Sequence, residues 1–174
     1  MLKKILVALF LLTSLALLIG ARFGFAWAGG EGYETPMSAS VKIYSDKGET
    51  ETTAVRGELI KTNAGEKAIV QIGERIVVAV DERSDVVLEK LFPSEVKIVL
   101  RGGRVLAKTS NETEKLTISS PETSDFINSG AVTAVRYDSL SRTDIVPMSE
   151  FDWSNSTDRD FFLWAAEKMK IELE

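Results

Sequence analysis

The chain of 174 residues contains no cysteine and no histidine. Without cysteine no disulfide can form, so the core alone must hold the fold. Without histidine there is no Ser-His-Asp triad, no Cys-His pair and no ordinary zinc or haem ligand set. Acid–base chemistry near neutral pH would fall to a carboxylate or lysine of shifted pKa. An excess of positive charge is also lacking: the net charge is −5. Nucleic acid demands a basic face, so a nucleic-acid partner is not expected. Charges of both signs are interspersed, which reads mainly as solubility. These absences predict a protein that is not an enzyme, with no catalytic residues, no metal site and no cofactor.

Acidic residues are missing altogether from residues 1–28, which do contain Lys3, Lys4 and Arg22. Ile5 to Ile19 is apolar apart from Thr13 and Ser14, and Ala26-Trp27-Ala28 precedes Gly29-Gly30. A basic start, an apolar centre and a small-x-small site form the layout of a secretory signal peptide. The lysines stay on the cytoplasmic side while the apolar run enters the membrane. The expectation is an exported protein, periplasmic or extracellular. Two fates are open for residues 1–28. Cleavage after Ala28 would release a soluble domain. Retention would leave a membrane anchor, since the apolar stretch to Ala21 is about 17 residues, near the lower limit for a span. Cleavage removes three positive charges and no negative one, taking the net charge from −5 to −8. The roughly 146 residues left suffice for one domain with a real core.

Residues 29–38, rich in Gly, Glu and Pro, read as a linker. Residues 39–150 then carry short β-rich runs: VKIYS at 41, AIVQI at 68, RIVVAV at 75, DVVLEKL at 85, EVKIVL at 95, RVLAKT at 104, KLTIS at 115, AVTAVRY at 131 and TDIVPM at 143. Breakers separate them, among them Asp46-Lys47-Gly48, Asn63-Ala64-Gly65, Phe92-Pro93-Ser94 and Arg101-Gly102-Gly103. A repeat of about ten residues per strand and turn predicts an all-β sandwich, barrel or roll. In EVKIVL, Val96, Ile98 and Leu100 point one way and Lys97 and Val99 the other. Gly65, Gly73, Gly102 and Gly103 fall where turns would need positive φ.

Helical periodicity enters only within residues 151–174. Thr157 to Asp160 resembles a capping box. Phe162, Ala166, Met169 and Leu173 then form one stripe, flanked by Phe161, Trp164 and Ala165. The spacing predicts a helix over 158–172, its apolar face packed on the β domain, with a partner-binding helix as the alternative.

Several residues invite a chemical reading. Asp81, Glu82 and Asp85 cluster at a turn, but their spacing is not that of an EF-hand loop, and a solvated turn is the simpler account. Ser84, Ser119 and Ser120 would need a lysine base that nothing in the sequence brings near. Asp144 with Arg136 and Arg142 suggests a surface ion pair of little worth. Trp153 and Trp164 read as caps on the open end of the β core, with a sugar-stacking platform as the sharper alternative. Asn111-Glu-Thr and Asn155-Ser-Thr fit a glycan acceptor pattern and read as chance.

Within Ser40 to Met148, the segment Gly57-Glu-Leu-Ile-Lys-Thr62 and the stretches 68–72, 78–88, 98–106, 116–123 and 130–136 together resemble the FecR domain family. Gly57-Glu-Leu-Ile-Lys-Thr62 is similar to the family's opening Gly-x-x-Ile-x-Thr. Ala68–Ile72 and Val78–Leu88 resemble its strand, serine-bearing turn and strand. Ile98 to Leu106 is similar to its leucine, x, x-Gly-x-Val element, and Leu116–Thr123 with Gly130–Arg136 to its closing pair. The chain departs from the pattern at Asp81-Glu82-Arg83-Ser84 and at Arg136-Tyr137-Asp138. The resemblance implies a twisted β roll or short right-handed β-helix-like sandwich of about 9–12 strands. It also implies extracytoplasmic sensing or signalling through a protein partner, without catalysis. A self-associating structural module of the cell envelope is the alternative.

Overall fold

The computed structural model describes residues 34–110, 115–121, 124–127, 132–137, 143–147 and 156–171. The chain is mostly β: Ala39–Ser45 (β1), Gly48–Ala54 (β2), Leu59–Lys61 (β3), Lys67–Ile72 (β4), Ile76–Val80 (β5), Asp85–Leu91 (β6), Glu95–Thr109 (β7), Lys115–Ser119 (β8), Ser124–Ile127 (β9), Val132–Tyr137 (β10) and Thr143–Pro147 (β11). A helix, Ser156–Met169 (α1), follows. Thr35 onward forms one compact unit. Within it Met37 already donates its N–H to the Leu91 carbonyl at 2.8 Å.

Two sheets share β7. The larger runs β11-β10-β7-β5-β4-β1-β2 and curls into a half-barrel. The smaller joins β3 to β6, β6 to β7, and β7 to β8 and β9. Among the described residues every ladder is antiparallel except β7 with β8. A right-handed β helix stacks parallel coils, so the helical variant of the expected roll is not what these ladders build.

The sequence predicts two strands broken by Arg101-Gly102-Gly103, but β7 runs straight through that segment. Its first half pairs β6 and β8, and its second half pairs β5 and β10. The register with β6 shifts between Asp85 and Val86, leaving Arg101 as an extra residue. Such a bulge bends a strand and lets it pass from one sheet to the other. Gly103 beside it has φ +96° and lies against Ser84.

The core follows from this sharing. Val41, Val70, Val78 and Val80 of the larger sheet pack with Val86, Leu88, Ile98, Leu100 and Ile118 of the smaller. The alternation expected of EVKIVL holds: Val96, Ile98 and Leu100 are buried, while Lys97 and Val99 are only partly covered. On the outer face of the larger sheet, Ile69, Ala79, Leu106 and Ala134 pack against Phe161, Phe162, Ala165 and Met169 of α1. The middle of this sheet is thus covered on both faces. That is why β4 and β5 are nearly continuous apolar runs, as strands buried on both sides are.

The helix packs on the β domain as its periodicity predicts, ending at Met169. Lys170 takes φ +51°. The Lys170 N–H reaches the Glu167 carbonyl at 3.3 Å, and the Ile171 N–H reaches that of Ala166 at 2.9 Å. That pair of bonds is a Schellman cap. Lys108 of β7 donates to the carbonyls of Met169 (3.4 Å) and Lys170 (3.2 Å), placing positive charge at the negative helix end. Leu173 and the Thr157 side chain lie outside the described residues.

Candidate functional site

The acidic turn between β5 and β6 holds the densest polar cluster. Asp81 is 2% exposed and Ser84 and Thr62 no more than that. The Thr62 hydroxyl donates to the Asp81 carbonyl at 2.5 Å and accepts the Ser84 N–H at 2.9 Å. The Arg104 N–H donates to Ser84 Oγ at 3.1 Å, and the Asp81 N–H to the Arg104 carbonyl at 3.0 Å. The turn is thereby fastened to β7 through its backbone.

The side chain of Arg104 lies between two carboxylates, Asp81 and Asp158 in the first turn of α1. Its guanidinium also sits 5.9 Å from the Phe161 ring centre. Burial pushes the Asp81 carboxyl above the ordinary carboxylate range, and Arg104 acts against that push. A two-acid hydrolase needs room between its carboxylates for a sugar bond and a water. Here the space between the acids holds an arginine, and the cluster joins helix to sheet.

The three acids of the turn go to separate partners. Asp81 meets Arg104, Glu82 accepts the Gly65 N–H at 2.6 Å, and Asp85 pairs with Lys61 at 3.4 Å. Among the described residues no three potential metal ligands gather. The hydroxyls of Ser84 and Ser119 face backbone groups, and Ser120 is buried just past β8.

Trp164 lies on the helix–sheet interface. It meets Tyr44 edge-on at 5.5 Å and stacks on Phe161 at 6.2 Å. The Lys67 ammonium stands 5.4 Å from its ring centre. Phe161 and Lys67 both engage the indole, as a cap on the β core would. A crevice of about 170 Å3 beside it is lined by Tyr44, Ser45, Gly65, Lys67 and Trp164. A second, more apolar recess of about 260 Å3 is lined by Met37, Ile72, Ile76, Pro93 and Val96, together with Gly73, Glu74 and Arg75. Register places Arg136 opposite Asp144, whose side chain lies outside the described residues. Trp153, Arg142, Asn111 and Asn155 lie outside them as well.

Among the described residues, two of the open surfaces stand out. At the end of the larger sheet, β2 pairs with β1 alone, and its first six residues are exposed. At the edge of the smaller sheet, Val55 and Leu59 are 51% and 50% exposed.

Arg104 and β2 are among the features that sequence patterns do not reveal. An arginine opening the otherwise apolar run RVLAKT after two glycines is the one local sign of Arg104's role. For β2 the alternating Glu and Thr of GETETT is the sign, with no apolar residue to mark it. No protein family, curated protein or solved structure matches this chain.

Proposed function

We propose that the chain is an exported, non-catalytic β module, FecR-like in kind, that acts by binding another protein in extracytoplasmic signalling or regulation. The observation that carries this reading is the N-terminal layout, with its basic start, apolar run and Ala26-Trp27-Ala28. That layout supports export, with residues 1–28 either cleaved or kept as an anchor. The curled sheet suits a FecR-like roll, and the conspicuous polar cluster is engaged in holding α1. Unpaired strand edges supply a binding surface of the kind proteins use for one another.

Fractionation of cells making the full chain, with mass spectrometry of its N-terminus, tests the reading. The expected result is protein outside the cytoplasm, either starting at Gly29 or resisting carbonate extraction with Met1 retained. Cytoplasmic protein with residues 1–28 intact would refute it. Exposure of Val55 and Leu59 favours a second reading, a self-associating envelope module. Size measured at rising concentration separates the two, because only self-association makes it grow.

A further inference from the structure

The edge strand β2 is unusual in what it lacks. Ala54 is its only buried residue, so neither face of the strand is pressed against a core. It is kept in place by its ladder with β1 and by a few polar contacts. Lys42 lies 3.5 Å from both Glu49 and Glu51, and the Ser40 hydroxyl donates to Glu51 at 2.9 Å. The Ser40 bond, followed by Lys42, holds the Glu51 carboxyl below the ordinary range. Thr50, Thr52 and Thr53 supply β-branched side chains that favour extended backbone.

Natural edges are usually blunted by proline, a bulge, a cover or charged side chains, lysine above all. β2 contains no proline and no lysine. Its register with β1 runs without a shift from Ala39↔Ala54 to Ser45↔Gly48. What it does carry is acid, with Glu49 and Glu51 on one face. Among the described residues a single ammonium, that of Lys42, is shared between these two carboxylates, which leaves one negative charge over. The whole chain is acidic too, at −5. Like charges placed opposite one another across a strand pair are unfavourable. Another acidic copy is therefore a poor partner in the register that sets Glu49 against Glu51. A strand with basic residues at alternate positions is a good one.

We propose that the free edge of β2 receives an extended, basic segment of another protein, added as a further strand of the larger sheet. Backbone hydrogen bonds along β2 give the attachment. Cations two residues apart, facing Glu49 and Glu51, give the selectivity. The proposal rests on the partner-binding reading above and names its surface.

A synthetic seven-residue peptide of alternating lysine and threonine is the probe, titrated into the isotope-labelled chain. Amide shifts confined to β2 and its neighbour β1 are expected. N-methylation of alternate peptide nitrogens keeps the charge and removes donors, and should weaken binding about tenfold or more. Glu49→Gln with Glu51→Gln, at exposed positions that leave the fold intact, should weaken it similarly. Shifts elsewhere, or equal binding by the N-methylated peptide, would show simple charge attraction and overturn the proposal. Absence of binding would overturn it as well. The outcome is separable from fractionation: an exported chain that ignores the peptide loses this surface and keeps the general reading. A cytoplasmic chain that binds it does the reverse.

Discussion

Gly103 shows how one position can carry both backbone and packing constraints. Its φ of +96° is a region that L side chains rarely adopt, and a Cβ there would overlap the Ser84 side chain and reach within 2.7 Å of Ser84 Cα. Gly57 has a similar φ of +88° with nothing within 4 Å. Gly57→Ala should therefore cost about 1 kcal/mol, the backbone penalty alone. Gly103→Ala should cost about 3 kcal/mol, because overpacking adds to it. Denaturant unfolding of both variants checks the difference, and equal losses would remove the packing argument. Arg104 works through charge instead. Arg104→Met removes the cation that Asp158 shares with the buried Asp81, and should cost about 3 kcal/mol. Asp81→Asn should cost less, since burial of that charge is itself unfavourable. The raised Asp81 pKa also fixes a pH dependence. The folded state holds this proton more tightly than the unfolded state. Its contribution to stability is then greatest in acid and falls as pH rises from about 3.9 through the raised folded value. Against wild type, Asp81→Asn should lose relative stability on the acid side and recover it above that window. A difference constant with pH would contradict the assignment.

At the level of elements, what could be read from sequence depended on whether a segment buries a face. The runs at 41, 68, 75, 85, 115, 131 and 143 all carry apolar residues, and each falls in a strand. β2 was invisible to that test because nothing in GETETT is apolar. β3, three residues long, and β9 were too short to show a period. By pattern β7 reads as two strands because Gly102 and Gly103 resemble a turn, whereas a bulge lets one strand absorb them. The helix was legible because Phe161, Phe162, Ala165, Ala166 and Met169 recur on one side, all buried. Its ion pair with Arg104 was not, since that contact joins residues 54 positions apart in sequence. Phe161→Ala should cost about 3–4 kcal/mol, as truncation of a fully buried aromatic does. Leu163→Ala, at a site 41% exposed, should change stability by less than about 0.5 kcal/mol. Lys170→Gly should stabilise by about 1 kcal/mol, because glycine adopts the left-handed cap without penalty. A loss on that substitution would mean that the Lys170 side chain contributes more than its backbone costs.

For the whole molecule the sharing of β7 has a mechanical consequence. Residues 95–100 belong to the smaller sheet and residues 103–109 to the larger, on one uninterrupted strand. Its inner side chains, Val96, Ile98, Leu100, Val105 and Ala107, lie in a single core cluster with residues of both sheets. The outer cluster joins that strand through Leu106, so α1 rests on the same element. Neither sheet can lose its order without stripping β7 from the other. The unit from Thr35 onward should therefore unfold in one transition, with no intermediate that keeps one sheet. Leu88→Ala weakens the smaller sheet's side of the core and Phe161→Ala weakens the helix side. Both should lower the same midpoint, leave the denaturant slope unchanged, and shift tryptophan fluorescence and far-ultraviolet circular dichroism together. If Phe161→Ala instead split the fluorescence transition from the dichroism transition, α1 would be a separately melting cover, and β7 would not be the common support argued here.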